Sequence, residues 1–131
     1  MDAVNLVEAA RTAIYQRLAA TSGVPMFDHT PAGTEPPFRK LGEIEWEAAG
    51  SKFDPVIVLT VEVISIYRGQ DRSVVIDMAH ANDRALHDAT IEIDGAVVSQ
   101  VAQVAGSVSS AAADGVTYAA LQLFEMNVEP A

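Results

Sequence analysis

The stretch Asp54-Pro55-Val56-Ile57-Val58-Leu59-Thr60-Val61-Glu62-Val63-Ile64-Ser65-Ile66-Tyr67 decides the fold of this chain. Its density of β-branched residues predicts one long strand, which begins after Pro55 and ends at the Arg68-Gly69 break. Alternation divides this strand into one face with Ile57, Leu59, Val61, Val63, Ser65 and Tyr67, and another with Val56, Val58, Thr60, Glu62, Ile64 and Ile66. Neither face is polar enough for ordinary exposure, so we expect both to be covered.

A helix is predicted to follow the long strand and to cover one of its faces. Asp71 or Ser73 can cap the start of this helix. Its less polar stripe consists of Val75, Met78, Ala79, Asn82, Ala85 and Leu86. A long strand that leads into an amphipathic helix is typical of a two-layer α+β fold. The second face of the strand still needs a partner, which in so short a chain can come from another subunit.

The remaining elements are predicted from periodicity and from turn residues. A first helix spans residues 2–20, with Gly23 as a left-handed C-cap. The proline-rich segment 24–37 is predicted to be a long loop with a short strand around Met26. Further strands are predicted at residues 38–47, 90–93, 96–108 and 116–128, with a tight Asp94-Gly95 turn. The chain is therefore expected to form a single domain over residues 1–131. Its expected fold class is α+β, a mostly antiparallel mixed sheet with two helices packed on one face.

The strand at residues 38–47 alternates between an apolar and an acidic face. Phe38, Ile44 and Trp46 are predicted to point to the buried side. The opposite, wet side is predicted to carry Arg39, Leu41, Glu43, Glu45 and Glu47. This strand and the long strand after it are expected to be antiparallel neighbours in a hairpin.

The composition excludes several classes of protein. The chain of 131 residues has no cysteine, which excludes disulfides and thiolate metal sites. Its net charge of −10 falls entirely within residues 41–131, which argues against a surface that grips nucleic acid. The acidity fits simple solubility, or a surface that stays near a polyanion without binding it. We see no signal peptide and no apolar run long enough to span a membrane, and expect synthesis in the cytosol.

No group of residues assembles a predicted active site. His80, Asp83 and His87 could share a flank of the second helix, but a zinc site needs further ligands, so a solvated flank is favoured. His29 lies beside Asp28 with no nucleophile to activate. No nucleophile elbow or phosphate-binding loop is present. We therefore predict a protein that is not an enzyme and needs no cofactor or metal.

Glu62 is the one carboxylate predicted on a largely apolar strand. It could form a salt bridge with Arg39 or Lys40 on the neighbouring strand. It could equally make a subunit contact or face a central channel. The alternating Glu43, Glu45 and Glu47 splay along a flat strand and do not converge on a cation, so they are not expected to bind one.

Four segments resemble the tail-completion proteins (tail terminators, or tail-to-head joining proteins) of long-tailed phages and gene transfer agents. Pro37-Phe38-Arg39-Lys40-Leu41-Gly42-Glu43 is similar to that family's Pro-aromatic-x-x-aliphatic-Gly-Glu segment. Residues 61–69 look like its central strand, residues 85–87 like the end of its helix, and residues 114–124 like its closing strand. The resemblance extends over nearly the whole chain, to about Glu129. Ile64 departs from it, because an aromatic residue, typically Trp, is expected there.

The resemblance implies a ring, generally of six copies, on the head-proximal end of the tail tube of a virion or gene transfer agent particle. Such a ring ends tube polymerisation and docks the head connector, or stopper, while double-stranded DNA passes through its lumen without sequence-specific binding. Six copies would carry a charge of about −60, and an acidic bore repels phosphates. The implied partners are further copies of the chain, the tail tube protein and the connector, and no membrane.

Interface residues are proposed from charge and expected exposure. The predicted subunit or partner contacts are Asp28, His29, Glu35, Phe38, Arg39, Lys40 and Trp46, and the predicted lumen or interface acids are Glu43, Glu45 and Glu62. Two alternatives stay open: a small ligand-binding or regulatory α+β domain with its pocket under the proline-rich loop, and a neighbouring neck or connector adaptor.

Overall fold

In the described part of the chain, six strands form one sheet and two helices pack against one of its faces. The computed structural model of the chain describes residues 5–21 and 23–131. In chain order the elements are α1 (Leu6–Ala19), β1 (Met26–Phe27), β2 (Phe38–Ala48), β3 (Ile57–Arg68), α2 (Ser73–Leu86), β4 (Ile91–Ile93), β5 (Ala96–Val108) and β6 (Thr117–Pro130). The strand order is β1-β2-β3-β6-β5-β4, and only the β1–β2 pair is parallel. The predicted α+β class is confirmed.

The long strand β3 lies at the centre of the sheet. It pairs with β6 without a break, from Ile57 opposite Val128 to Arg68 opposite Thr117. Leu59, Val61 and Val63 are exposed by 1% or less, so the face that these residues share is the one buried in the core. The core between helices and sheet also takes Ile14 and Leu18 from α1 and Phe124 from β6. Burying one such large apolar side chain stabilises the fold by about 1.5–3 kcal/mol.

Both helices begin at polar side chains that accept backbone N–H groups. Asn5 Oδ1 accepts from Glu8 N at 3.0 Å at the start of α1. Asp71 Oδ1 accepts from Ser73 N at 2.9 Å at the start of α2, as the sequence predicts. The predicted first residues of α1 include residues 2–4, which lie outside the described residues. The predicted left-handed cap at Gly23 is wrong, because α1 ends at Ala19 and its C-cap is Ala20, with right-handed helical backbone angles.

Within the described chain only one face of β3 is covered, and the expected cover of the other face by another subunit stays a prediction. The helices cover one face, and residues of the other face are only half-buried, because no described element packs over them. Residues directly opposite each other on antiparallel strands share a face. The register of β3 and β6 therefore defines an open face that consists of Val58, Thr60, Glu62, Ile64, Ile66, Ala119, Leu121, Leu123, Glu125 and Asn127.

The predicted faces of β2 are confirmed from Ile44 onward and wrong before it, because the strand contains a bulge. The register of β2 against β3 shifts between Leu41 and Ile44. Before the shift, Arg39 lies opposite Ser65 on the core face, and after it Ile44 lies opposite Val61 on that same face. One extra residue in a bulge exchanges the two faces of a strand. The face predicted to be wet is therefore buried in the first half of β2.

Candidate interaction surfaces

Arg39 is the most enclosed charged residue of the described chain, although the sequence analysis placed it on the wet side of its strand and among the partner contacts. Its exposed fraction is 1%. Nη1 donates to Asn82 Oδ1 at 3.0 Å, and Nη2 donates to the backbone oxygens of Leu18, Thr21 and Val24 at 2.9, 3.1 and 2.8 Å. The expectation of an exposed Arg39 is wrong, since the guanidinium is used inside the subunit.

The neighbours of Arg39 are neutral acceptors, and its Nε has no hydrogen-bond partner among the described residues. Burial lowers the pKa of Arg39, because a desolvated guanidinium is less favourable than a hydrated one. The ordinary pKa of arginine is so high that the side chain stays charged at neutral pH. Arg39 is therefore a buried cation held by amide and backbone oxygens.

A chain of polar side chains continues from Arg39 beneath α2. Asn82 Nδ2 donates to Ser65 Oγ at 3.1 Å and to Gln122 Oε1 at 3.0 Å. Gln122 Nε2 in turn donates to Gln103 Oε1 at 2.8 Å. The sequence contained a signal for this network, because Asn82 and Gln122 stand in otherwise apolar stripes. These hydrogen bonds join α2 to β2, β3 and β6 and so favour one arrangement of these elements, although Arg39 Nε has no partner among the described residues.

The acids on the open face come from three adjacent strands. Glu45 of β2 lies opposite Thr60, and Thr60 lies opposite Glu125 of β6. Glu62 is two residues further along β3. Glu47, opposite Val58, adds a fourth carboxylate to the same face. Together with Trp46, the residues Glu45, Glu47, Val58, Thr60 and Glu125 line a shallow depression of about 540 Å³.

None of these four carboxylates forms an ion pair with a described residue. The salt bridge considered for Glu62 is therefore not formed with Arg39 or Lys40. The carboxylate of Glu62 instead lies against the backbone of Gly42, where an added Cβ would come within 2.2 Å of Glu62 Oε1. Glu43 is exposed and lies in the bulge, in the part of β2 opposite Glu62.

Phe38 and Lys40 differ in their availability for contacts. Phe38 is exposed by only 7%, and its ring packs edge-on against Phe27 with centroids 6.1 Å apart. Lys40 is half-buried on the open face, opposite Ile64. Of the three predicted contacts Phe38, Arg39 and Lys40, only Lys40 therefore remains accessible to a partner.

Two ion pairs attach the proline-rich loop to the body of the subunit. Asp28 forms an ion pair with Arg11, which also pairs with Glu8. Glu35 Oε2 lies 3.0 Å from Arg68 Nη1. The hydrogen bond to Arg11 lowers the pKa of Glu8. Exposed pairs contribute little stability, so Asp28 and Glu35 position the loop, and His29 stays exposed on it.

The β2–β3 hairpin carries the most exposed aromatic side chains. Every residue from 45 to 55 is exposed. The exposed fraction is 54% for Trp46 and 92% for Phe53. Trp46 was predicted to be buried, and it shares the helix-covered face with Leu59 at a point that the helices do not cover. Phe53 was missed, since a single aromatic residue in a predicted turn gives no periodic signal.

The described residues contain no group of three or more histidine, aspartate or glutamate side chains arranged to hold a metal ion. His87 Nε2 lies 3.3 Å from Asp88 Oδ2 and shares no site with His80. Among the described residues, no helix is long and apolar enough to cross a membrane.

Comparison with known proteins gives a likeness of fold to solved structures. No protein-family model matches the sequence, and no curated protein matches it. A solved chain described as "Virion of native gene transfer agent (GTA) particle" superposes with a TM-score of 0.83. The likeness covers 97% of this chain and 99% of that chain at 19% sequence identity. At this identity the likeness concerns the fold alone, so the chain has the fold of a component of a gene transfer agent virion.

Proposed function

We propose that this chain is a structural virion protein that forms a ring, of six copies, on the head-proximal end of a tail tube. The ring ends tube polymerisation and joins the tail to the head connector in a phage or gene transfer agent particle. One observation carries the proposal: the fold agrees over almost the full length of both chains with a chain from a gene transfer agent virion. The protein is made in the cytoplasm of the bacterial host and acts as a scaffold, without catalysis.

The assignment to a tail terminator, rather than to another virion protein, rests on the sequence resemblance. Its four segments lie at the start of β2, along β3, at the end of α2 and along β6. The three strands are neighbours in the sheet. The segments that resemble the family are therefore contiguous in space, and they include both strands that build the open face.

The open face supports a role as the wall of a DNA passage. Glu45, Glu47, Glu62 and Glu125 give it four carboxylates without ion pairs among the described residues. Six copies would present about 24 such groups to the lumen. A wall of this charge repels phosphates over roughly a Debye length of 8–10 Å, so the duplex slides without adhering.

Native mass spectrometry and negative-stain imaging, with and without purified tail tubes, test this function. We expect a ring with a central hole, either free in solution or on one end of the tubes. Tubes assembled with the protein should stop growing, and tubes without it should continue. A compact dimer that ignores tubes and is stabilised by a metabolite would overturn the proposal in favour of a ligand-binding domain. Binding to the connector without binding to tubes would identify a neck adaptor instead.

The lumen assignment has a separate test. The triple variant Glu45→Gln, Glu62→Gln, Glu125→Gln should assemble normally, and DNA should leave particles that carry it more slowly than it leaves wild-type particles, by a margin that shrinks at high salt. The matched control neutralises three exposed acids around β4, Asp88→Asn, Glu92→Gln and Asp94→Asn. Equal ejection rates for the two triple variants would show that the open face does not line the lumen.

A further inference from the structure

The tip of the β2–β3 hairpin carries an aromatic ring that is not packed into its own subunit. Phe53 is 92% exposed, and the only ring contact found for it in the described chain is Lys52 Nζ, 5.9 Å from the ring centroid. Lys52 is also the only cation in the sequence between residues 41 and 67. The tip therefore combines one large apolar group with one isolated positive charge.

The hairpin tip has a defined conformation. Ser51 N donates to Asp54 O at 3.0 Å, and Asp54 N donates to Ser51 Oγ at 3.1 Å. Gly50 N donates to Val56 O at 3.2 Å. A ring presented on a hydrogen-bonded turn loses less conformational freedom on binding than one on a loose loop, which favours its use as an anchor.

A cavity of matching size and character lies beside the first half of α2. Its volume is about 240 Å³, and its walls are mostly apolar. It is lined by Val24, Arg39, Val74, Asp77, Met78 and Ala81. An apolar cavity of about 150 Å³ already accommodates benzene, so this one has room for a phenylalanine ring. Asp77 is exposed and supplies a negative charge beside the cavity.

The tip and the cavity belong to opposite ends of the subunit. The hairpin precedes Ile57 at the start of β3, whereas α2 begins shortly after Arg68 at its end. A strand of 12 residues spans about 40 Å. The ring therefore cannot reach the cavity of its own subunit. A contact between two different patches on two copies is heterologous, and heterologous contacts generate closed rings when the rotation closes.

We propose that Phe53 of one copy inserts into the cavity beside α2 of the next copy, with Lys52 next to Asp77. This contact would supply the subunit interface of the proposed ring, on which the inference rests. The occupant is a second copy of the chain because size, apolar character and charge all match between the two patches. Aromatic anchors that fill pockets contribute most of the energy of many interfaces.

Cross-linking between single-cysteine variants tests the contact, because the chain has no cysteine of its own. Lys52→Cys protein is mixed with Asp77→Cys protein and treated with a short bis-maleimide, both free in solution and on tail tubes. We expect a cross-linked dimer. A double variant, Lys52→Cys with Asp77→Cys, should give a ladder that ends at the ring size. The matched control replaces Asp77→Cys by Glu92→Cys, an exposed acid on β4.

Two further variants separate the contact from a general loss of structure. Phe53→Ala should lower the cross-link yield at least about tenfold, as expected for an anchor residue, whereas Val104→Ala, at an exposed valine elsewhere, should leave it unchanged. Lys52→Asp and Asp77→Lys should each prevent ring assembly, and combining them in one chain should restore it. If Lys52 and Asp77 had only separate structural roles, combining the two charge reversals would not restore ring assembly.

The outcomes distinguish the contact from the proposed function. If rings form or tubes are capped while cross-linking stays at the control level, the proposed contact between Phe53 and the cavity is wrong, but the proposed ring is retained. Cross-linking of Lys52→Cys to the tube protein would also overturn the contact, since the hairpin would then dock on the tube. If neither rings nor capped tubes form, the proposed function falls and the contact falls with it.

Discussion

Arg39 Nη1 donates a hydrogen bond of 3.0 Å to Asn82 Oδ1, and both side chains are buried, at 1% and 0% exposure. The bond joins β2 to α2 across 43 positions of the sequence. Arg39→Met should therefore lower the free energy of unfolding by about 3 kcal/mol, because Asn82 and three backbone oxygens lose a charged donor. Urea denaturation measures this change. Lys40→Met, on the opposite face, is the control and should stay within about 0.5 kcal/mol. Equal effects of the two variants would contradict the role given to Arg39.

Asn82 is the branch point of the buried network, so its two polar atoms can be tested separately. Asn82→Leu should cost about 2 kcal/mol or more, since Arg39, Ser65 and Gln122 all lose a partner. Asn82→Asp keeps an acceptor for Arg39 and removes only the two donated bonds, so its unfolding midpoint should lie between those of the wild type and Asn82→Leu. The reverse order of the two variants would show that packing, rather than hydrogen bonding, determines this position.

The order of helices and strands could be predicted from the sequence because alternation and β-branched runs are local signals. The faces of β2 could not, since the bulge between Leu41 and Ile44 exchanges them partway along the strand. The isolated Gly42 was the available sign of that bulge. Arg39 was assigned to the wet face because it shares odd-numbered positions with the glutamates that follow the bulge.

The acidic open face was only partly predictable. Glu45 and Glu62 were identified from two strands that are adjacent in sequence. Glu125 was missed because its proximity depends on the pairing of Thr60 with Glu125, which joins distant parts of the chain. No local pattern determines such a register; the buried faces of both strands determine it together.

Two glycines of the same region should respond differently to alanine. At Gly42 the new Cβ would meet the flexible end of Glu62, at 2.2 Å from Oε1, so the carboxylate can move aside. At Gly50 it would meet backbone, 2.1 Å from Asp54 O and 2.6 Å from Val56 N. Gly50→Ala should therefore cost about 1–3 kcal/mol, and Gly42→Ala less than about 1 kcal/mol.

Thermal denaturation of the two glycine variants compares these costs, and each variant serves as the control for the other. Because Gly50 supports the hairpin, Gly50→Ala should also reduce cross-linking through Lys52→Cys. A variant Gly50→Ala as stable as Gly42→Ala would mean that the hairpin tip can rearrange freely.

Asp114 makes the stability of the β5–β6 connection depend on pH. Hydrogen bonds from the Thr117 hydroxyl and from the backbone N–H groups of Val116 and Thr117 lower the pKa of its carboxyl group. The folded state therefore binds this proton less readily than the unfolded state. The stabilisation is complete above the ordinary pKa of about 4 and is lost as the pH falls through the lower folded value.

Asp114→Ala should consequently be less stable than the wild type at neutral pH, and the difference should shrink in acid below about pH 4. Urea midpoints measured from pH 7 down to pH 2 check this. Asp88→Ala is unsuitable as a control because its φ is 56°, so Glu129→Ala, an exposed acid on β6, is used. A difference between Asp114→Ala and wild type that stays constant over this range would contradict the role of the carboxylate.

Arg39 Nη2 donates hydrogen bonds to three backbone oxygens, those of Leu18 in α1 and of Thr21 and Val24 after it. Arg39 is synthesised after all three of these residues. A helix of 14 residues has only marginal stability by itself in water. The last turn of α1 should therefore become stable only once β2 has packed against it. Helix and sheet should therefore form and dissolve together. Amide hydrogens in the last turn of α1 should exchange with deuterium at rates similar to those of the central strands. Both sets should exchange through the same cooperative opening.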